Sequence, residues 1–225
     1  MKQVGIIALI FFFGCSGYAR SQTQAFTPEW AFGVNGGVTF SKISFNSVFY
    51  RIPQDFLNQY SGGISVRYVS EKHFGILGEL NYSLRGWKER KDSTVNVNRY
   101  TRSLAYLELP LMTHIYFNLG KRVRLIFNLG PQIGYYLSSK EIDKEIIKIP
   151  EPDYYDHAVR HSFDYGLKGA TGLEFRTNAG SFILDGRYYY GLSDIFDSAK
   201  GEPFQASHNQ VIGVNLTYLF RMKKM

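Results

Sequence analysis

The stretch RVRLIFNLGPQIGYYL, residues 122–137, alternates apolar and polar side chains almost without a break. Successive side chains of a β-strand point to opposite faces, so one face of this segment would be apolar and the other would carry arginine, asparagine, glutamine and glycine. The run is far longer than the five or six residues that are common for strands of soluble domains. It is typical of a tilted strand that crosses a lipid bilayer.

Similar runs recur along the chain. We predict strands at residues 30–40, 61–69, 74–85, 102–117, 122–137, 163–176, 181–190 and 211–221. The connections alternate between short turns, at 70–73, 118–121 and 178–180, and long loops, at 41–60, 86–101, 138–162 and 191–209. Short periplasmic turns and long extracellular loops are the rule in outer-membrane barrels. The pattern therefore predicts an all-β fold, an antiparallel up-and-down transmembrane β-barrel of about eight strands.

A soluble lipocalin-like barrel would show the same alternation with its apolar face turned inward. Three features favour the membrane arrangement instead. Aromatic residues cluster near strand ends, as in interfacial girdles. The polar face is rich in glycine and other small residues, which suit a crowded bore, and it carries little lysine. Pro110 interrupts one predicted strand, and because proline cannot donate a ladder hydrogen bond, we expect a β-bulge there.

The N-terminus resembles a secretory signal. Lys2 is followed by an apolar run of about ten residues and then by small residues before Ala19, a pattern that predicts a cleaved signal peptide. We expect residues 1–19 to be the signal peptide, with cleavage between 19 and 25, and residues 20–225 to be the barrel domain. Cys15, the only cysteine, leaves a lipoprotein reading open, although the lipoprotein pattern around it is incomplete.

The composition excludes several classes of function. Without a cysteine in the mature chain there is neither a disulfide framework nor thiol chemistry. The net charge of +7 is scattered along the chain, so we expect anionic lipid headgroups or lipopolysaccharide phosphates as partners and no nucleic acid. The spacing of histidines and acids indicates no metal site, and no phosphate-binding glycine loop or other cofactor motif is present.

Many charged residues fall on the face that would line the bore. An eight-strand barrel is just wide enough for side chains, and buried charges must pair. We expect a structural ion network made of Arg67, Glu79, Arg85, Glu108, Arg124, Lys168, Glu174, Arg176, Asp185 and Arg187. A narrow ion path is the alternative interpretation. A second, basic group lies in the predicted loop 86–101 and at its end, where it would contact anionic lipid or a partner: Lys88, Arg90, Lys91, Arg99 and Arg102.

Two groups of residues leave catalysis open as a weaker hypothesis. A lipid-modifying enzyme would need a nucleophile with a base in reach, and the candidates are His114 and the neighbours Ser207 and His208. An omptin-like protease would carry acids and histidines on its rim, and one segment superficially fits: Asp153, Asp156, His157, His161 and Asp164. Neither group forms a recognisable motif, so we predict that the protein is not an enzyme.

From Tyr106 onward the chain resembles the PorT-like outer-membrane β-barrel family of Bacteroidota. The residues that carry the resemblance are YLELPLM at 106–112, Gly130-Pro131, GYYLS at 134–138 and YGLSDI at 190–195. The resemblance implies an outer-membrane barrel and makes Pro110 a habitual feature. It also implies, more weakly, an accessory role in type IX protein secretion.

These observations predict a small integral barrel in the outer membrane of a Gram-negative bacterium, with a structural or binding role. Its external loops would contact lipopolysaccharide or another envelope partner. The alternatives are an accessory component of a secretion machine, as the PorT resemblance implies, and a lipid A-modifying enzyme or narrow pore.

Overall fold

The computed structural model describes residues 26–46, 54–90, 99–145, 162–194 and 206–221. These residues form nine antiparallel strands, of which eight close into a ring and one, β2, is a two-residue extension. The strands are β1 (Glu29–Asn46), β2 (Gln54–Asp55), β3 (Leu57–Glu71), β4 (Phe74–Glu89), β5 (Arg99–Asn118), β6 (Val123–Glu145), β7 (Phe163–Arg176), β8 (Ser181–Gly191) and β9 (Ala206–Arg221). No helix of these residues is long and apolar enough to cross a membrane.

The ring closes in the order β4-β3-β1-β9-β8-β7-β6-β5, with β5 returning to β4. Apart from β2, which pairs with β4, each strand pairs with the next strand of the ring in sequence order, and the first and last strands pair from Ala31↔Arg221 to Asn46↔Ala206. The predicted all-β up-and-down barrel of about eight strands is therefore confirmed. The predicted signal segment, the Cys15 position and the greater part of each extracellular connection lie outside the described residues.

The two faces of the strands divide as the alternation predicts. The outward side chains are large, apolar and exposed, for example Leu129 at 62 % and Ile64 at 55 %. Aromatic rings pack together near the periplasmic strand ends, where Trp30 contacts Tyr68 and Phe182 contacts Tyr218. The inward side chains are buried, and many of them are polar or charged. An apolar exterior around a polar bore is the arrangement of a membrane barrel.

Several strands extend beyond their predicted ends into segments that were expected to be loop. β1 continues to Asn46, β6 continues to Glu145, and β9 begins at Ala206. Ladder hydrogen bonds need no apolar side chains, so pairing continues after the lipid-facing alternation has ended. The expected bulge at Pro110 is wrong: the registers Pro110↔Gln132 and Thr113↔Leu129 are the same, and β5 shifts register near its extracellular end instead.

The wall is irregular between β3 and β4 at the extracellular end. Their pairing stops at Ser61↔Ser83 and resumes only where β2 meets β4. In the interval, the Ser41 hydroxyl of β1 accepts a hydrogen bond from the Gly86 N–H at 2.9 Å and donates one to the Gly86 carbonyl at 3.0 Å. A side chain from β1 thus takes the place of the β3 backbone.

Glycine is required at position 86 of this irregular junction between β3 and β4, which we call the seam. Its φ of 157° lies where side chains other than glycine are strained, and a Cβ there would overlap the Arg102 carbonyl. We expect Gly86→Ala to lower the free energy of unfolding by about 1–3 kcal/mol, measured by urea titration in lipid vesicles. Gly120→Ala is the matched control, because a Cβ at Gly120 meets no atom within 4 Å. Equal stabilities of the two variants would contradict this account of the seam.

Candidate functional site

The bore of the barrel is filled by side chains in three layers. At the periplasmic end lies an apolar cluster against which Phe26 packs: Ala31, Val69, Tyr116, Ile126, Ile183 and Leu219. Buried apolar side chains also lie at the extracellular end: Ile43, Leu57, Trp87 and Leu104. Most of the buried charged residues lie between these two groups, while Arg124 is interleaved with the periplasmic cluster, because it precedes Ile126 on β6 and lies over the Tyr116 ring. We call these charged residues the ion layer, and its members are Arg67, Arg85, Arg124, Lys168, Arg187, Glu79, Glu108, Asp164, Glu174 and Asp185.

The ion layer holds as many cations as anions, and several of its pairs span the bore. Arg67 of β3 pairs with Glu174 of β7 at 2.9 Å, and these two strands are diametrically opposite in the ring. Arg187 of β8 binds both carboxylate oxygens of Glu79 on β4, at 2.9 and 3.0 Å, again from the opposite strand. Charge-assisted bonds of this geometry are the strong ones. The pairs therefore tie opposite walls together.

Arg85 lies at the centre of the extracellular half of the ion layer. Its Nε donates to Glu108 at 2.8 Å, and its Nη1 donates to Asp164. The guanidinium group lies between the rings of Tyr106 and Tyr189, at 4.7 and 4.4 Å from their centroids. The ion pairs and the two cation–π contacts hold the Arg85 side chain from four directions, so it is fixed across the bore.

Lys168 joins the two halves of the ion layer. Its Nζ lies 3.8 Å from an oxygen of Glu79 and 3.8 Å from an oxygen of Glu108. A cavity of about 30 Å³ lies beside Lys168 and is lined in part by Arg85, Glu108 and Arg187. A cavity needs about 10–15 Å³ to admit one water molecule, so this one has room for very few. The ion layer is therefore close to fully packed.

The periplasmic half of the ion layer is less fully hydrogen-bonded. Arg124 lies 3.6 Å from Glu174 and stacks on the ring of Tyr116 at 4.0 Å. Nε and Nη1 of Arg67 have no hydrogen-bond partner among the described residues. His114 is fully buried beside them and its Nδ1 lies 2.7 Å from the Asn128 amide oxygen. Glu174 is thus the acid on which both arginines depend.

The structure departs from the predicted bore residues at two positions. Arg176 lies at the periplasmic rim, 26 % exposed, where it pairs with Glu29 at 3.5 Å. Asp164, which the sequence placed beside the rim acids, is 3 % exposed and accepts hydrogen bonds from Tyr189 and Ser193 inside the bore. Its place on the inward face of a strand is the signal that identifies it. The other members of the predicted rim cluster lie outside the described residues.

The predicted basic loop is divided by the structure. Lys88 lies on the outward face of β4, and Arg90 is exposed just beyond the end of that strand. Arg102 is in β5, 9 % exposed, with its guanidinium bonded to Ser139 and facing the Trp87 ring, so it cannot serve as a surface contact. The strands are longer than predicted and carry Arg102 into the bore. Arg99 begins β5, and Lys91 lies outside the described residues.

The candidate catalytic residues do not assemble. Ser207 is fully buried on the inward face of β9, while His208 points outward and its ring lies against Tyr190. Adjacent residues of a strand face opposite ways, so Ser207 and His208 cannot form a nucleophile–base pair. Among the residues that the structure describes, no group of His, Cys, Asp or Glu is placed to hold a metal ion.

Comparison with known proteins gives one family. Residues 20–197 match the family described as "Outer membrane protein beta-barrel domain". Among solved structures, the chain is similar to the Yersinia pestis attachment invasion locus protein Ail in complex with the heparin analogue sucrose octasulfate, at 16 % identity over 85 % of this chain and 99 % of Ail, with a TM-score of 0.39. It is also similar to OprG of Pseudomonas aeruginosa, at 11 % identity over 84 % of this chain and 95 % of OprG, with a TM-score of 0.47. No curated protein matches the chain.

Proposed function

The chain belongs to the outer membrane protein β-barrel domain family, and from this we propose that it is a closed, non-enzymatic barrel that acts through contacts at its extracellular end. Those contacts are with lipopolysaccharide or another component of the envelope. The barrel supplies a rigid support in the outer membrane, and the extracellular strand ends and connections supply the binding surface. Functional residues concentrate on such segments when a rigid scaffold positions them.

The packed ion layer is the observation that carries this proposal. Conduction through a bore requires a continuous file of water, but cross-bore pairs such as Arg187 with Glu79 occupy the axis of this one. Apolar layers lie on both sides of these charges. To reach a conducting state, the protein would have to break several buried ion pairs at once. Each broken pair would cost roughly a few kcal/mol. The bore therefore serves stability, and the function lies outside it.

Two measurements test the proposed function. In planar bilayers neither the wild-type protein nor the charge-balanced double variant Glu79→Ala/Arg187→Ala is expected to give single-channel conductance, because Arg85 and the two apolar layers still close the bore when one crossing pair is removed. Capture of partners from native outer membranes is expected to depend on the extracellular side of the barrel. Regular conductance by the wild-type protein would overturn the proposal.

We keep the PorT-like assignment as the narrower proposal, with an accessory role in secretion as the second candidate. The motif YLELPLM lies in β5, and its inward residues Tyr106, Glu108 and Pro110 are buried in the bore. The shared residues thus belong to the construction of the barrel, which supports a common architecture more than a common partner. Unchanged secretion of surface proteins after deletion of the gene would remove the secretion role.

We also propose that residues 1–19 are removed on export and that residues 20–225 are the mature barrel domain. The family match begins at residue 20, which supports this division. The intact mass of protein purified from outer membranes distinguishes cleavage after Ala19 from cleavage after Ala25, and a mass that retains residues 1–19 would contradict the proposal.

A further inference from the structure

A basic and aromatic patch lies on the outer surface of the extracellular rim. Lys42 points outward, because its neighbours Ser41 and Ile43 are buried inside, and its Nζ lies 5.2 Å from the centre of the Phe56 ring. Lys88 points outward from β4, where it is paired in register with Asp55. We call the four residues Lys42, Phe56, Lys88 and Arg90 the rim patch.

The positive charge of the rim patch is only partly neutralised. Arg90 forms a solvent-exposed pair with Asp55 at 2.7 Å, which water and salt screen. Within the described residues, no carboxylate forms an ion pair with Lys42 or Lys88. Lys42 and Lys88 face outward on β1 and β4, which are separated in the ring by β3. Their positive charges are therefore available to an anionic ligand.

Toward β9 and β8 the rim patch is bounded by uncharged residues. At the level of Lys42 the neighbouring strand β9 carries Gln210, and β8 carries Tyr190 opposite it. Neither residue is charged. Further exposed cations, Lys140 and Lys144, lie at the extracellular end of β6, so the rim patch is a local cluster with uncharged positions on its β9 side.

The rim patch sits directly above lipid-facing residues. Below Lys42 on the outward face of β1 lie Phe40 and Val38, and β3 presents Tyr60, which is 70 % exposed. A ligand with acyl chains against the apolar wall would bring its headgroup to the two lysines. The charge and depth of the site thus fit an amphiphile that is anionic at the outer boundary of the bilayer.

We propose that the rim patch binds the phosphorylated headgroup of lipid A, the membrane anchor of lipopolysaccharide. Lys42 follows Ser41 on β1, and Lys88 lies two residues after Gly86 on β4, so the hydrogen bonds between Ser41 and Gly86 bring the two lysines to the same part of the outer boundary. Two neighbouring cations complement the two phosphates of one lipid A headgroup better than the single phosphate of a phospholipid. Lys and Arg are suited to phosphate oxygens, Arg through its fork of donors. This inference rests on the proposed function and names its ligand.

The test uses the whole protein in phosphatidylcholine nanodiscs and fluorescently labelled bisphosphorylated lipid A as the probe. We expect Lys42→Gln/Lys88→Gln to weaken binding roughly tenfold or more, because each lysine near the surface contributes to anion attraction. The matched control is Lys72→Gln/Lys121→Gln, which removes the same charge from exposed positions at the periplasmic end. Heat-modifiable migration on a gel confirms that each variant is folded.

Several outcomes would overturn the inference: an equal loss in both double variants, no loss in the rim variant, or binding of dephosphorylated lipid A or phosphatidylglycerol as tight as that of the bisphosphorylated probe. Lys42→Arg/Lys88→Arg keeps both charges and is expected to retain binding, so it decides the matter if the glutamine variant does not fold. A negative result here leaves the proposed function standing with another partner. Conductance by the wild-type protein would remove the proposed function while the lipid site could still be measured.

Discussion

Replacing Glu174 with glutamine is expected to lower the free energy of unfolding by about 3–5 kcal/mol, the cost of leaving a buried charge without its partner. Glu174 is fully buried, 2.9 Å from Arg67 and 3.6 Å from Arg124. Glutamine preserves the shape of the side chain but removes the negative charge on which both guanidinium groups depend. Urea titration of the protein in lipid vesicles, followed by tryptophan fluorescence, measures the change.

Two further variants separate the loss of charge from the loss of packing. Arg67→Leu/Glu174→Leu removes both charges of the pair, and we expect it to be less destabilised than Glu174→Gln because less unpaired charge remains. Arg176→Gln breaks the partly exposed pair with Glu29 and should change stability by less than about 1 kcal/mol. If the double variant were the least stable of the three, ion pairing would not be the main contribution of Glu174.

The second large effect is expected on the lipid face. Leu129 is 62 % exposed and lies in register with Gly169, at the middle of β7. An arginine at the bilayer midplane of such a barrel costs about 2–4 kcal/mol, so Leu129→Arg should lower the free energy of unfolding in vesicles by that amount.

The chain offers a close control for this substitution. Leu119 is also 62 % exposed but lies in the periplasmic turn between β5 and β6. Leu119→Arg makes the same chemical change at the same exposure and differs only in depth, so we expect little effect on stability. Equal destabilisation by the two substitutions would mean that the apolar exterior does not face lipid.

The sequence predicts which way each side chain faces but not which side chains meet. Alternation along β3 and β7 places Arg67 and Glu174 inside, because the period of a strand is two residues. That they pair follows from the stagger of the strands around the ring, which no local pattern records. The same limit applies to Asp164, whose neighbours in the sequence are acids and histidines of the predicted rim but whose partner Arg85 lies 79 residues away.

The strand ends illustrate a second limit. The apolar alternation marks only the part of a strand that touches lipid, so the sequence predicts a loop for the polar segment of β6 from Ser138 to Glu145. At Pro110 the sequence predicts an irregularity that the structure does not contain. A missing ladder hydrogen bond was expected to shift the register, but the long flanking pairings of β5 keep it fixed.

The pairs that cross the bore also constrain how the molecule is assembled. Arg67 finds its acid only on the opposite strand, and Glu79 finds its cations only on β7 and β8, so a half-inserted sheet of β1 to β5 would hold uncompensated charges in an apolar environment. Those charges are neutralised together when β9 pairs with β1 and the ring closes. Biogenesis should therefore be all-or-none, with incomplete chains rejected before release into the bilayer and no long-lived open sheet.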